Sequence, residues 1–147
     1  MARYVKVSSV SVKDGVNYSG DPSRDLKLET DRMIDSWNRL LSRVLPEKPD
    51  LIVLPEACDR YHNYPLSRRL EYYEVRGDRL LRFFKEKAYE NSCYIAYSAV
   101  RKLEDGTYRN TTQLIDRKGE IAGLYNKNHP TIGETEDGKI LPGKDAR

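Results

Sequence analysis

Alternating and helical patterns of apolar residues divide the first part of the chain into a strand, a long helix and a second strand. β-branched residues between Val5 and Val12 lie among small or polar ones, which predicts a first strand that ends by Gly15. Asp21-Pro22 provides a helix entry, because the aspartate can cap N–H groups and proline is tolerated in the first turn. The spacing that follows predicts an amphipathic helix over residues 21–45. Its apolar positions are Leu26, Met33, Ile34, Trp37, Leu40, Leu41, Val44 and Leu45.

A short apolar run, from Leu51 to Leu54, follows this helix and has a proline near each end. Such a run is typical of a strand that is covered on both faces. Residues 57–76 form a polar, tyrosine-rich passage, after which Gly77-Asp78 opens a second helix predicted over residues 78–91. The first strand, the long helix and the second strand make one βαβ-like unit.

From Cys93 onward the period of the pattern changes to two. Three antiparallel strands in a meander are predicted, because Asp105-Gly106 and the segment 117–119 contain the residues that tight hairpins need. The glycines and prolines after residue 129 indicate a loop. The predicted core includes Ile52, Val53, Ile95, Ala99, Leu114 and Ile121.

Composition and charge narrow the function classes. The 147 residues are enough for one domain with a core of its own. Lysine and arginine number 26 against 23 acidic residues, and the two signs are interspersed along the chain. A nucleic-acid partner is therefore not expected, because nucleic-acid binders cluster their cations.

Cysteine usage and hydropathy give the expected compartment. Cys58 and Cys93 show neither the CxxC spacing of a metal site nor the pattern of a disulfide framework, so we expect no metal. The first residues lack the apolar run of a signal peptide, and no segment approaches the roughly 20 apolar residues that span a bilayer. We therefore expect no membrane association and a cytoplasmic protein.

Two residues at predicted strand ends could carry chemistry. Glu56 follows the apolar strand and Pro55, so its carboxylate is expected at the carboxyl edge of the sheet, where open α/β sheets place their ligands. Lys127 follows the last predicted strand. Each alone is more often a solvated surface residue, and only the pair is informative.

The order of several short blocks resembles the nitrilase superfamily of carbon–nitrogen hydrolases. The resemblance extends from about Tyr4 to Gly143, and each block alone is a weak signal. The blocks are Asp50-Leu51-Ile52-Val53-Leu54-Pro55-Glu56, Asn110-Thr111-Thr112-Gln113-Leu114-Ile115-Asp116-Arg117-Lys118-Gly119, Tyr125-Asn126-Lys127-Asn128-His129, Glu134, and Pro142-Gly143. The resemblance implies an α/β fold, the N-terminal half of a four-layer α-β-β-α sandwich, with residues 1–147 forming a partial hydrolase domain.

The same resemblance implies a Glu-Lys-Cys triad without a cofactor. Glu56 corresponds to its general base and Lys127 to its lysine, and Glu134 corresponds to an additional active-site glutamate, with Glu136 as the alternative. A carboxylate can take the proton of a thiol and return it to the leaving nitrogen, while an ammonium stabilises the developing negative charge. Tyr61 and Tyr64 are candidates for substrate binding, with packing against a neighbouring helix as the alternative.

The nucleophile is expected beyond Arg147, after a further strand. Cys58 lies in the wrong block and Cys93 begins a strand, so neither receives the catalytic role. The implied function is cleavage of a small-molecule nitrile, amide or carbamoyl substrate by a homo-oligomer. One alternative is a non-catalytic scaffold or degenerate subunit of the same fold. A weaker alternative is a Mg-dependent phosphoesterase, because the metal-binding glutamate of that class also follows an apolar strand.

Overall fold

The computed structural model describes residues 4–11, 20–136 and 139–143, which form one five-stranded sheet with flanking helices. The strands are β1 (Val7–Ser9), β2 (Leu51–Val53), β3 (Tyr94–Lys102), β4 (Tyr108–Ile115) and β5 (Ile121–Asn126). The helices are α1 (Leu26–Val44), α2 (Leu66–Arg76), α3 (Arg79–Glu90) and the short α4 (Ile132–Glu136). A 3-10 turn, Leu45–Glu47, follows α1.

The sheet is parallel on one side and antiparallel on the other. Its order is β1-β2-β3-β4-β5, with parallel pairing of β1, β2 and β3 and antiparallel pairing of β3, β4 and β5. Gly106 and Gly119 occupy the two hairpin turns at φ 80° and 75°, where a side chain would be strained. The predicted βαβ unit and the predicted meander are therefore both confirmed.

The main core lies between one face of the sheet and the helices. Trp37 of α1 meets Phe84 of α3 edge to face, with ring centroids 5.6 Å apart, and Phe84 lies 4.8 Å from the ring of Tyr97 on β3. Ile52 and Ile95 are fully buried neighbours on the same face of the sheet. Burial of these large side chains is the main stabilising contribution of this layer.

The opposite face of the sheet is less well buried than the sequence predicted. Successive strand residues point to opposite faces, so Leu51, Val53 and Leu114 lie on the face away from Ile52 and are only half-buried. Ile121, which pairs with Ile115, is half-buried as well, but it packs against the main core. The described residues cover this face only in part, and its cover by a second sheet stays a prediction. Ile52, Ile95 and Ala99 are confirmed as core.

Several predicted boundaries need correction. The long helix begins at Leu26, not at residue 21, because the side chain of Asp25 accepts hydrogen bonds from the N–H groups of Lys27 and Leu28. The passage 57–76 contains α2, which was missed because tyrosines form much of its buried face. The C-terminal loop contains α4, and Val12 and Gly15 lie outside the described residues.

Candidate active site

The chain that follows β2 carries Glu56 across the sheet. After the strand ends, the N–H of Leu54 donates to the carbonyl of Ala96 at 3.1 Å, and that of Cys58 donates to the carbonyl of Ser98 at 3.0 Å. The segment therefore continues alongside β3 instead of leaving the sheet. This course brings the Glu56 side chain to Asn110 on β4.

Lys127 reaches the same place from the end of β5. Its N–H donates to the carbonyl of Asn110 at 2.8 Å, which continues the pairing of β5 with β4. Its carbonyl accepts a 2.9 Å hydrogen bond from the N–H of Gly143. A Cβ on Gly143 would lie 2.4 Å from the backbone oxygen of Asn126, so the close approach of this segment requires glycine.

Four polar side chains form a closed hydrogen-bond network in the resulting cleft. The ammonium of Lys127 donates to Oε1 of Glu56 at 2.7 Å and to Oε2 of Glu134 at 2.9 Å. The amide of Asn110 donates to the same two carboxylates, at 2.7 Å to Glu56 and 2.8 Å to Glu134. Glu56, Lys127 and Glu134, which the sequence singled out, are thus brought together, and Asn110 is an additional member to which the sequence assigned no role.

Glu134 belongs to this network because of how α4 begins. Its carboxylate accepts the N–H of Thr131 at 2.7 Å, while its own N–H donates to the Thr131 hydroxyl at 3.3 Å. This reciprocal arrangement is a capping box, and it fixes the glutamate at the helix start. Glu136, the alternative, lies exposed two residues later.

The electrostatics of the network favour the charged forms of Lys127 and Glu134. Burial raises the pKa of Glu134, but hydrogen bonds from Thr131, Asn110 and Lys127 outweigh it and lower the pKa to about 2. The hydrogen bond to Glu56, with a smaller contribution from Glu134, raises the pKa of Lys127. The Glu134 side chain is 12% exposed, whereas that of Glu56 is 60% exposed. Glu56 is therefore the carboxylate of this network that is most accessible to an incoming group.

Buried tertiary contacts hold the backbone next to Glu56. The indole N–H of Trp37 donates to the carbonyl of Cys58 at 3.0 Å. Asp59, fully buried, pairs with Arg76 and accepts the hydroxyl of Tyr97. Because these anchors involve α1, α2 and β3, the position of Glu56 depends on packing throughout the layer.

The network lies in a cleft of about 370 Å³ that also contains cations. Arg60, Arg69 and Tyr73 line it beside the residues described above. The sequence analysis missed all three. Their closeness to Glu56 along the chain was the available signal, since residues that follow a strand end often line the site at that edge.

Tyr61 and Tyr64 do not line this cleft, which corrects the sequence prediction. Each is 2% exposed, and their rings stack with centroids 5.1 Å apart. The hydroxyl of Tyr61 donates to the carbonyl of Glu29 at 2.6 Å, and that of Tyr64 to the Glu29 carboxylate at 3.2 Å. Their position matches the alternative, packing against α1, because a buried tyrosine needs a partner for its hydroxyl and Glu29 provides acceptors.

Neither cysteine lines the cleft. Cys58 is 1% exposed and Cys93 is fully buried. Burial raises the pKa of both thiols, and for Cys58 the adjacent Asp59 raises it further. A thiol in such surroundings is a poor nucleophile, because the thiolate is the reactive form.

Comparison with known proteins shows what kind of site this is. The family model for carbon-nitrogen hydrolases matches residues 18–143, which includes every member of the network. The chain belongs to the carbon-nitrogen hydrolase family. Members of this family are hydrolases that act on carbon–nitrogen bonds.

Within the described residues, no group of three or more histidine, cysteine, aspartate or glutamate side chains is arranged to hold a metal ion.

Individual relatives agree with this assignment. The nitrilase and fragile histidine triad fusion protein of Drosophila melanogaster is 28% identical over 90 residues, which are 61% of this chain and 19% of that protein. The carbon-nitrogen hydrolase from Helicobacter pylori G27 is 22% identical, with a TM-score of 0.74 over 97% of this chain and 46% of that one. An N-terminal amidase is 17% identical, with a TM-score of 0.73 over 95% of this chain and 31% of that one.

These structural likenesses confirm the predicted α/β fold of a carbon–nitrogen hydrolase. The chain spans less than half the length of each of these relatives. Assembly into four layers with a second sheet stays a prediction.

None of the helices in the described ranges has both the length and the apolar character that crossing a bilayer requires.

Proposed function

We propose that this chain carries the glutamate and the lysine of a carbon–nitrogen hydrolase site. Glu56 acts as the general base, Lys127 stabilises the negative charge that develops on the substrate, and Glu134 holds Lys127 in place and charged. The observation that carries the proposal is that the Lys127 ammonium lies within 3 Å of both carboxylates in one cleft. Membership of the family supports it.

The nucleophile in this proposal is a cysteine from a segment outside these 147 residues. Glu56 takes the thiol proton, sulfur bonds to the substrate carbon, and negative charge collects beside Lys127. When the C–N bond of an amide breaks, Glu56 returns the proton to the leaving nitrogen. Water activated by Glu56 then releases the acid and restores the thiol. The burial of Cys58 and Cys93 supports an external nucleophile.

The substrate and setting are parts of the same proposal. The substrate is a small-molecule amide or nitrile, and the protein works as a homo-oligomer in the cytoplasm. The amidase names of structural neighbours favour an amide.

The test compares the full-length gene product with residues 1–147 by measuring ammonia release from a panel of amides and nitriles. We expect turnover from the full-length product and none from residues 1–147. Glu56→Gln and Lys127→Ala should each lower kcat by about 10²–10⁴-fold, because triad members act as a unit. Cys58→Ser is the matched control. Its kcat, expressed per molecule of folded protein, should equal that of the unsubstituted full-length product.

Two results would overturn the proposal. Turnover by residues 1–147 that disappears in Cys58→Ser would place the nucleophile inside this chain. A full-length product without turnover on the whole panel would favour the scaffold or degenerate subunit.

A further inference from the structure

Two arginines line the cleft without an acidic partner. Arg60 lies in the turn that follows Glu56, and Arg69 lies in the first turn of α2. Neither forms an ion pair within the described ranges, whereas Arg68, the neighbour of Arg69 on the helix, pairs with Glu71. Among the described residues, the guanidinium of Arg69 donates to the carbonyl of Tyr64 at 3.2 Å, while its buried Nε has no hydrogen-bond partner there.

Tyr73 lines the same cleft as these two arginines. Tyr73 is 5% exposed, lines the cleft, and its buried hydroxyl has no hydrogen-bond partner in the described structure. Burial raises the pKa of this hydroxyl to about 12, and the positive charges of Arg60, Arg69 and Arg76 oppose that rise. A buried hydroxyl without a partner is unfavourable, so a group that accepts its hydrogen bond would be stabilising here.

The carboxylates of the cleft do not neutralise these arginines. Glu56 and Glu134 both accept hydrogen bonds from Lys127, and they form the closed network described above. Asp59, which also acts on the Tyr73 hydroxyl, is paired with Arg76. The residues that line the cleft therefore include three cations, Lys127, Arg60 and Arg69, against two carboxylates, and both carboxylates pair with Lys127. Guanidinium groups with an adjacent hydroxyl are suited to binding a carboxylate, because all their polar hydrogens are donors.

We propose that Arg60 and Arg69, together with the hydroxyl of Tyr73, bind a carboxylate on the substrate, so that the substrate is an amide whose other end is anionic. This inference rests on the proposed function, because it places the scissile amide at Glu56 and Lys127. Binding energy from the distant carboxylate would orient the amide at the reacting groups.

The test uses the full-length gene product and three sets of amides that differ in the charge of the far end. The anionic set is malonamate, succinamate and glutaramate; the neutral set is propanamide, butanamide and pentanamide; the cationic amide is 3-aminopropanamide. We expect kcat/KM for the best anionic amide to exceed that of the neutral amide of equal length by about 100-fold, and the cationic amide to be poorest. Raising the salt concentration should reduce the preference.

Substitutions then assign the preference to the arginines. Arg60→Gln and Arg69→Gln should each lower kcat/KM for the best anionic amide by about 10–100-fold, mainly through KM, and change the neutral amide less than about threefold. Tyr73→Phe should act in the same direction with a smaller effect. Arg82→Gln removes an exposed cation of α3 outside the cleft and is the matched control.

The outcomes separate this inference from the proposed function. Hydrolysis of neutral amides at least as fast as anionic ones would overturn the carboxylate site and leave the hydrolase function standing. An anionic preference that survives in Arg60→Gln and Arg69→Gln would overturn the assignment of these residues. If none of the amides or nitriles is hydrolysed, the proposed function itself fails. Because the substrate comparison uses the unsubstituted protein, it decides the question even if an arginine variant does not fold.

Discussion

Replacing Glu134 with glutamine should remove a stabilising charge that acts only above acidic pH. Its carboxylate accepts three hydrogen bonds, from the N–H of Thr131 at 2.7 Å, the amide of Asn110 at 2.8 Å and the ammonium of Lys127 at 2.9 Å. Glutamine has the same shape but presents an amide N–H₂ where one carboxylate oxygen stood. At least one of these donors then faces another donor, which is unfavourable in a side chain only 12% exposed.

The magnitude follows from the pKa of this carboxyl. Its pKa falls from the ordinary value of 4.5 to about 2 on folding. At about 1.4 kcal/mol per unit, this depression is worth about 3–4 kcal/mol of folding free energy at most. Because the folded-state pKa is the lower one, the contribution is fully present above pH 4.5 and is lost as the pH falls through about 2.

Urea unfolding of residues 1–147 at a series of pH values measures this contribution. At pH 7 we expect Glu134→Gln to lower the free energy of unfolding by about 2–3 kcal/mol, and we expect the difference to shrink to less than about 1 kcal/mol near pH 2. Carboxyl ¹³C shifts should show Glu134 titrating well below the ordinary value of 4.5. Glu136→Gln, an exposed change two residues away, is the control and should have little effect at any pH.

A difference in stability that does not change with pH would refute the electrostatic reasoning. So would a titration midpoint for Glu134 between 4 and 5.

Three further outcomes are expected. Arg76→Met should destabilise the fold by about 3–5 kcal/mol in urea unfolding, because it leaves the carboxylate of Asp59 buried without its cation, and a loss below about 1 kcal/mol would contradict this. Cys58 and Cys93 should react with a water-soluble disulfide reagent at least about 100-fold more slowly in the folded chain than in urea, and fast labelling of either native thiol would contradict its burial. Gly143→Ala should lower stability by about 1–3 kcal/mol and shift the NMR signals of Lys127, because the added Cβ would meet the backbone at 2.4 Å.

A matched glycine controls the last of these changes. Gly133→Ala, within α4, adds a Cβ that meets nothing within 4 Å. It should leave stability unchanged or raise it by up to about 1 kcal/mol, because alanine is the better helix former. Equal losses from the two substitutions would show that the contact at Gly143 is not the cause.

The elements whose signals are local were predictable from the sequence. The apolar run predicted β2, and the alternating pattern predicted β3, β4 and β5. The turn residues at Gly106 and Gly119 predicted the two hairpins. Glu56 and Lys127 at strand ends were uninformative singly, and it was the resemblance that joined them in one site; the structure brings their side chains together in one cleft. A Thr-x-x-Glu capping box at Thr131 was also readable, and it would have favoured Glu134 over Glu136.

Tertiary packing decided the rest of the site. Tyr61 and Tyr73 have the same side chain and lie on the same stretch of sequence, yet one hydroxyl meets a carbonyl of α1 while the other remains without a partner beside the cleft. The same stretch contains Arg60, in the turn after Glu56, and Arg69, on α2, and both line the cleft once α2 packs against α1 and β3. Amphipathic residues such as tyrosine and arginine suit both core and surface, so local pattern alone does not assign them. Their environment is set by which distant helix or strand packs beside them, and that is a property of the folded chain.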